Sequence, residues 1–131
     1  MPLIKSDDLI ESIKDALQFI SYYHPTDYIN ALADAYKREI SPAAKDAMGQ
    51  ILVNSRMCAE GKRPICQDTG IVVVFIDVGM CVSWEKDADL EALINEGVRQ
   101  AYMDPSNPLR ASIVSDPAGN RINTKDNTPA V

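Results

Sequence analysis

Residues 66–70 read Cys-Gln-Asp-Thr-Gly, inside the stretch RPICQDTGIVVVFIDVGM from Arg63 to Met80. A thiol, an amide, a carboxylate and a hydroxyl occupy consecutive positions, closed by a glycine, and a run of branched apolar residues follows. A thiolate at Cys66 has three uses: nucleophile, metal ligand or iron–sulfur ligand. Nucleophilic catalysis needs a base beside the sulfur. The single histidine, His24, stands far upstream between Tyr23 and Pro25 and reads as a structural residue at a helix end. Zinc sites favour closely paired cysteines or histidines, whereas Cys58, Cys66 and Cys81 are spaced C-x7-C-x14-C, a weak zinc pattern. Cluster thiolates can come from distant segments, so one cysteine here with others elsewhere is a workable arrangement. An odd number of unpaired cysteines also argues against a disulfide scaffold. Cys58 on a helical apolar stripe and Cys81 in an expected strand read as small apolar residues.

The elements that must position this loop follow from periodicity. Ser6 reads as an N-cap, followed by Asp7 and Asp8 in the first turn, where the dipole favours acids. Leu9, Ile13, Leu17 and Ile20 then form one apolar face, ending near Tyr23 because Pro25 disfavours helical geometry at His24. A second helix is expected over 26–39. Ser41–Pro42 reads as an N-cap with proline in the first helical position, opening a third helix that closes at Gly61. The loop GKRPICQDTG follows. Ile71 to Val78 is rich in β-branched residues and predicts a strand buried on both faces. Gly79 marks a turn, and Met80 to Trp84 is expected to pair back as a second strand. Asp87 is expected to cap a helix over 88–103. The remainder is rich in Asp, Asn and Pro, with a short apolar run from Ala111 to Val114. The expected fold class is mixed α/β: a helical N-terminal half, residues 1–61, packed on a small mixed β-sheet within 62–131.

Composition bounds the function. The 131 residues are 46% hydrophobic and 24% charged, ordinary for one globular domain. The net charge of −6 and the lack of a Lys/Arg cluster disfavour nucleic acid as a partner. The longest apolar run, Ile71 to Ile76, is too short for a membrane span. Acids near the N-terminus do not fit a signal peptide, so a cytoplasmic location is expected. The final residues, NTPAV, end on an apolar pair that reads as the start of another strand, and the chain is expected to be a fragment or one piece of a larger assembly.

PICQDTG followed by an apolar strand resembles the cluster-ligand motif of class I fumarate hydratases and the related L-tartrate dehydratases. The resemblance extends through NSRMCAEGKRPICQDTG, EGVRQAY, the LRAS segment and NTKDNTPAV, and covers the N-terminal portion of such an enzyme. It implies a [4Fe–4S] cluster with Cys66 as one ligand and two further cysteine ligands outside this chain. It implies that Gln67 and Asp68 lie at the substrate site and that Arg110 binds a substrate carboxylate. It places the proton-transferring residue in an absent C-terminal domain, so no catalytic base is expected here, and it suggests a homodimer for the intact enzyme.

These assignments are chemically consistent. A cluster held by three thiolates leaves one iron as a Lewis acid. A dicarboxylate such as malate or fumarate suits an arginine fork, which makes two parallel hydrogen bonds. Asp68 and Thr69 also fit a loop that hydrogen-bonds its own backbone, and both readings stand. Three functions compete: part of an iron–sulfur hydro-lyase, a non-catalytic fragment or subunit needing a partner, and a redox or metal-binding protein using Cys66.

Overall fold

The computed structural model describes residues 2–66, 70–107 and 109–131. The fold is mixed α/β, in the order β1 (Leu3–Ile4), α1 (Ser6–Tyr22), α2 (Thr26–Arg38), α3 (Pro42–Gly61), β2 (Ser83–Trp84) and α4 (Leu90–Met103). Two compact units divide it: Met1–Gln18 with Thr69–Val131, and Phe19–Asp68. The division falls inside α1.

In the second unit, α2 and α3 begin where expected, and α2 ends at Arg38, one residue short of the expected Glu39. Ser41 caps α3 by accepting from Ala44 N at 3.5 Å, and Pro42 fills the first turn. The helix closes one residue later than glycine chemistry predicts. Gly61 is the last helical residue, and Lys62 takes the left-handed conformation, φ 47°. The two helices approach at Gly49, where an added Cβ would lie 3.4 Å from the Tyr36 ring. Lys45 Nζ sits over the same ring, 5.1 Å from its centroid. His24 bonds Ser55 Oγ through Nδ1 at 3.0 Å and stacks on Tyr28, which bears out its structural reading.

In the first unit, β1 and β2 pair in parallel, Leu3 with Ser83 and Ile4 with Trp84. The second strand therefore pairs with the N-terminus and does not return on Ile71 to Val78. This pairing brings Glu85 to the start of α1, where its carboxylate accepts from Ser6 N at 3.0 Å. Ser6 is thus the first helical residue, and an acid far along the chain satisfies one of the unpaired N–H groups there. Helix α4 begins at Leu90, and its cap is Asp89, which accepts from Ala92 N at 3.2 Å. Asp87, the expected cap, instead has φ 63°. Val98 and Ala101 are fully buried. Gly97 lets α1 come close, since a Cβ there would fall 2.8 Å from the Ile13 Cβ. Lys14 of α1 pairs with Asp104 at the end of α4 at 3.1 Å.

The expectation of a doubly buried strand over 71–78 is not met. The segment is non-helical and lies outside the two-stranded sheet. Only Val72 is buried, and Phe75 is 92% exposed. Branched residues favour extended backbone, but burial of both faces requires neighbours on both. One residue does pair with the segment. Val131 N donates to Val72 O at 3.0 Å, and Val74 N donates to Val131 O at 2.9 Å. One residue bonding the two that flank its partner is the parallel pattern, with Val131 beside Val73.

Among the described residues of the first unit, three carboxylates are held below their ordinary range. The Ser6 N–H holds Glu85 down. The Ser106 N–H, then Lys14, lowers Asp104. Hydrogen bonds from Arg99 and Gln100 bring Glu96 to about 2. Each folded-state pKa lies below the unfolded value, so the unfolded chain binds more protons and stability rises with pH. The contribution is complete above about pH 5 and is lost as pH falls toward about 2. Thermal melts should show a midpoint that drops over this window. The Glu85→Gln/Asp104→Asn double variant should show a shallower drop than the native chain.

Candidate functional site

Cys66 leaves α3 through a short, well-tied segment. Arg63 N donates to Cys58 O at 3.1 Å, and Ile65 N donates to Ser21 O at 2.9 Å. Cys66 N donates to the Asn54 side-chain oxygen at 3.1 Å. The backbone is thus held while the residue remains exposed. Its side chain borders a concavity of about 450 Å³ lined by Ala47, Gln50, Ile51 and Asn54. Cys58 differs. It is 4% exposed, and its thiol donates to Pro64 O at 3.4 Å, a packing role. Cys81 lies exposed in the turn before β2, not in a strand. Gln67 and Asp68 lie outside the described residues.

The donor chemistry at Cys66 fits one corner of an iron–sulfur cluster: an exposed sulfur on an anchored backbone, beside open space. It does not by itself fit a whole cluster. Among the described residues, no group of three or more His, Cys, Asp or Glu side chains converges to hold a metal.

In the other unit, the glycine that closes the motif is specified by space and conformation together. Gly70 has φ +78°, where a side chain is strained. A Cβ there would lie 2.5 Å from Asn127 Nδ2, 2.6 Å from Ser112 Oγ and 2.8 Å from Arg110 O. The neighbour responsible is Asn127, which is 0% exposed. Its Nδ2 donates to Gly70 O at 2.7 Å and to Arg110 O at 3.3 Å. Its Oδ1 accepts from Ser112 N at 2.9 Å and Ile113 N at 3.1 Å. The Arg110 residue is exposed while its carbonyl is held. Cys66 thus belongs to one unit and Arg110 to the other, and Gly70 and Arg110 meet on a single asparagine. The segment NTKDNTPAV stands out in the sequence, but Asn127 within it does not. The available signal was weak: an asparagine in a polar loop, in a conformation, φ 57°, that asparagine tolerates better than most residues.

The fumarate hydratase (fumerase) family model matches residues 10–131, and the chain belongs to that family. It is also 34% identical over 109 residues to a protein of Methanocaldococcus jannaschii provisionally named as the alpha subunit of an L(+)-tartrate dehydratase. That match covers 83% of this chain and 36% of the relative, so the chain spans about a third of the relative's length. No helix among the described residues is long and apolar enough to cross a membrane.

The Gly70 geometry generates a stability prediction. Gly70→Ala combines a left-handed penalty of about 1–2 kcal/mol with overpacking of about 1–3 kcal/mol. It should therefore destabilise by about 2–5 kcal/mol in urea titrations. Gly79→Ala, whose Cβ would meet nothing closer than 3.9 Å, should change stability by less than about 0.5 kcal/mol.

Proposed function

We propose that residues 1–131 are the N-terminal portion of the catalytic domain of a [4Fe–4S]-dependent hydro-lyase that interconverts L-malate with fumarate and water. The observation that carries this reading is the exposed, backbone-anchored Cys66 inside PICQDTG, in a chain of the fumarate hydratase family. Cys66 holds one iron, and the remaining thiolates come from polypeptide beyond these residues. When bound, the cluster supplies a Lewis acid for the departing hydroxyl.

The chain's own residues bind and orient. Arg110 takes a substrate carboxylate by its two-pronged guanidinium. Gln67 donates to a substrate oxygen, and Asp68 accepts from the substrate hydroxyl or steadies an arginine. Dehydration breaks the C–O bond of malate and removes a proton from the neighbouring carbon, leaving fumarate and water. The group that takes that proton lies outside this chain, so the isolated chain is inactive. Three free thiols suit a reducing compartment such as the cytoplasm. A second reading is favoured by the named relative: the chain works on L-tartrate as part of a subunit with a partner. Both substrates are therefore assayed.

The test is iron content and steady-state kinetics on three variants of the enzyme that carries this chain. Cys66→Ser should lose iron and hydration of fumarate together. Arg110→Lys should keep iron and lose about ten- to a hundredfold in kcat/KM, as expected for one charge-assisted hydrogen bond. Asp68→Asn should keep iron and lose rate. Full iron and near-normal turnover in Cys66→Ser would refute the assignment. Turnover of tartrate in preference to fumarate would establish the second reading.

A further inference from the structure

Asn127 has no part in the chemistry just described, yet its side chain is fully buried and fully engaged. A carboxamide offers two donor hydrogens and two acceptor lone pairs. All four are used: two by the carbonyls of Gly70 and Arg110, two by the amides of Ser112 and Ile113. The orientation of the amide is dictated by these partners. Turning it over would set oxygen against two carbonyls and NH2 against two N–H groups. The residue itself is anchored, since Asn127 N donates to Thr124 Oγ1 at 3.1 Å. The flanking segment is tied as well, through Thr124 N to Ile113 O at 2.9 Å and Ala130 N to the Asn95 side chain at 2.8 Å.

We infer that Asn127 is a positioning residue for Arg110, fixing the main chain of Arg110 relative to that of Gly70. This rests on the reading of Arg110 as the carboxylate-binding residue. Gly70 immediately follows the loop, and Arg110 stands forty residues further along. Among the described residues, the buried NH2 of Asn127 bonds the main chain of both. A carboxylate fork works only within a narrow geometry, and an arginine whose backbone is held by a part-buried bond starts from a defined origin. The tight space around Gly70 gives the clamp little freedom to shift.

The discriminating variant is Asn127→Asp, which keeps the acceptor toward Ser112 and Ile113 but places oxygen where Gly70 O and Arg110 O need a donor. In the holoenzyme it should lower kcat/KM for fumarate about tenfold, mainly through KM. The double variant Asn127→Asp/Arg110→Lys should be no more than about twofold worse than Arg110→Lys alone, because residues acting through one another do not add. Losses that multiply, or a harmless Asn127→Asp beside a damaging Arg110→Lys, would overturn the inference and leave the hydro-lyase reading intact. A harmless Arg110→Lys would instead remove the reading on which the inference rests. Should Asn127→Asp fail to fold, the native chain decides the matter by NMR. Scalar couplings across the hydrogen bonds from Asn127 Nδ2 to the carbonyl carbons of both Gly70 and Arg110 support the clamp, and their absence overturns it.

Discussion

Four hydrogen bonds on the buried carboxamide of Asn127 tie together the segments around Gly70, Arg110 and Ser112–Ile113. A buried polar group left without partners costs about 1–3 kcal/mol, whereas a satisfied one contributes modestly and orders its surroundings. The arrangement therefore tolerates little variation. Glycine at position 70 follows from it, because any side chain would occupy the space of the carboxamide. Asn127 itself has a left-handed backbone, and Val114 pairs with Asn123 in a short antiparallel bridge nearby in the chain. Irregular chain can be as well ordered as a helix when one side chain replaces the missing ladder.

The helices were legible because their determinants are local. Ser41 and Pro42 announce α3, and the apolar period from Leu9 to Ile20 marks α1. Small errors arose where neighbouring acids compete for one role, as with Asp87 and Asp89 before α4. The strand over 71–78 failed for a different reason. Its composition favours extended backbone, but burial depends on segments that pair with it, and composition carries no information about those. Pairing of Ser83–Trp84 with Leu3–Ile4 was likewise unreadable, since neither dipeptide has a distinctive pattern. Asn127 was hidden because a lone asparagine among Asn, Asp and Thr offers no period, and its importance arises only from what converges on it.

The three thiols show how structure sharpens a chemical reading. Sequence alone set Cys58 and Cys81 aside as packing residues and left Cys66 with several uses. Burial supports that view of Cys58. It does not support it for Cys81, which is exposed in a turn, so exposure alone does not distinguish Cys66. What distinguishes it is the anchored backbone and the adjacent concavity, in a chain of the fumarate hydratase family.

The most direct measurement is alkylation of the three cysteines by iodoacetamide, followed by mass spectrometry, on the enzyme before and after anaerobic cluster reconstitution. The account predicts that Cys66 is modified readily without the cluster and protected once it is assembled. Cys81 should lack cluster-dependent protection, and Cys58 should react slowly in both states because it is buried. Equal modification of Cys66 with and without a fully loaded cluster would contradict the claim that this thiol is a cluster ligand.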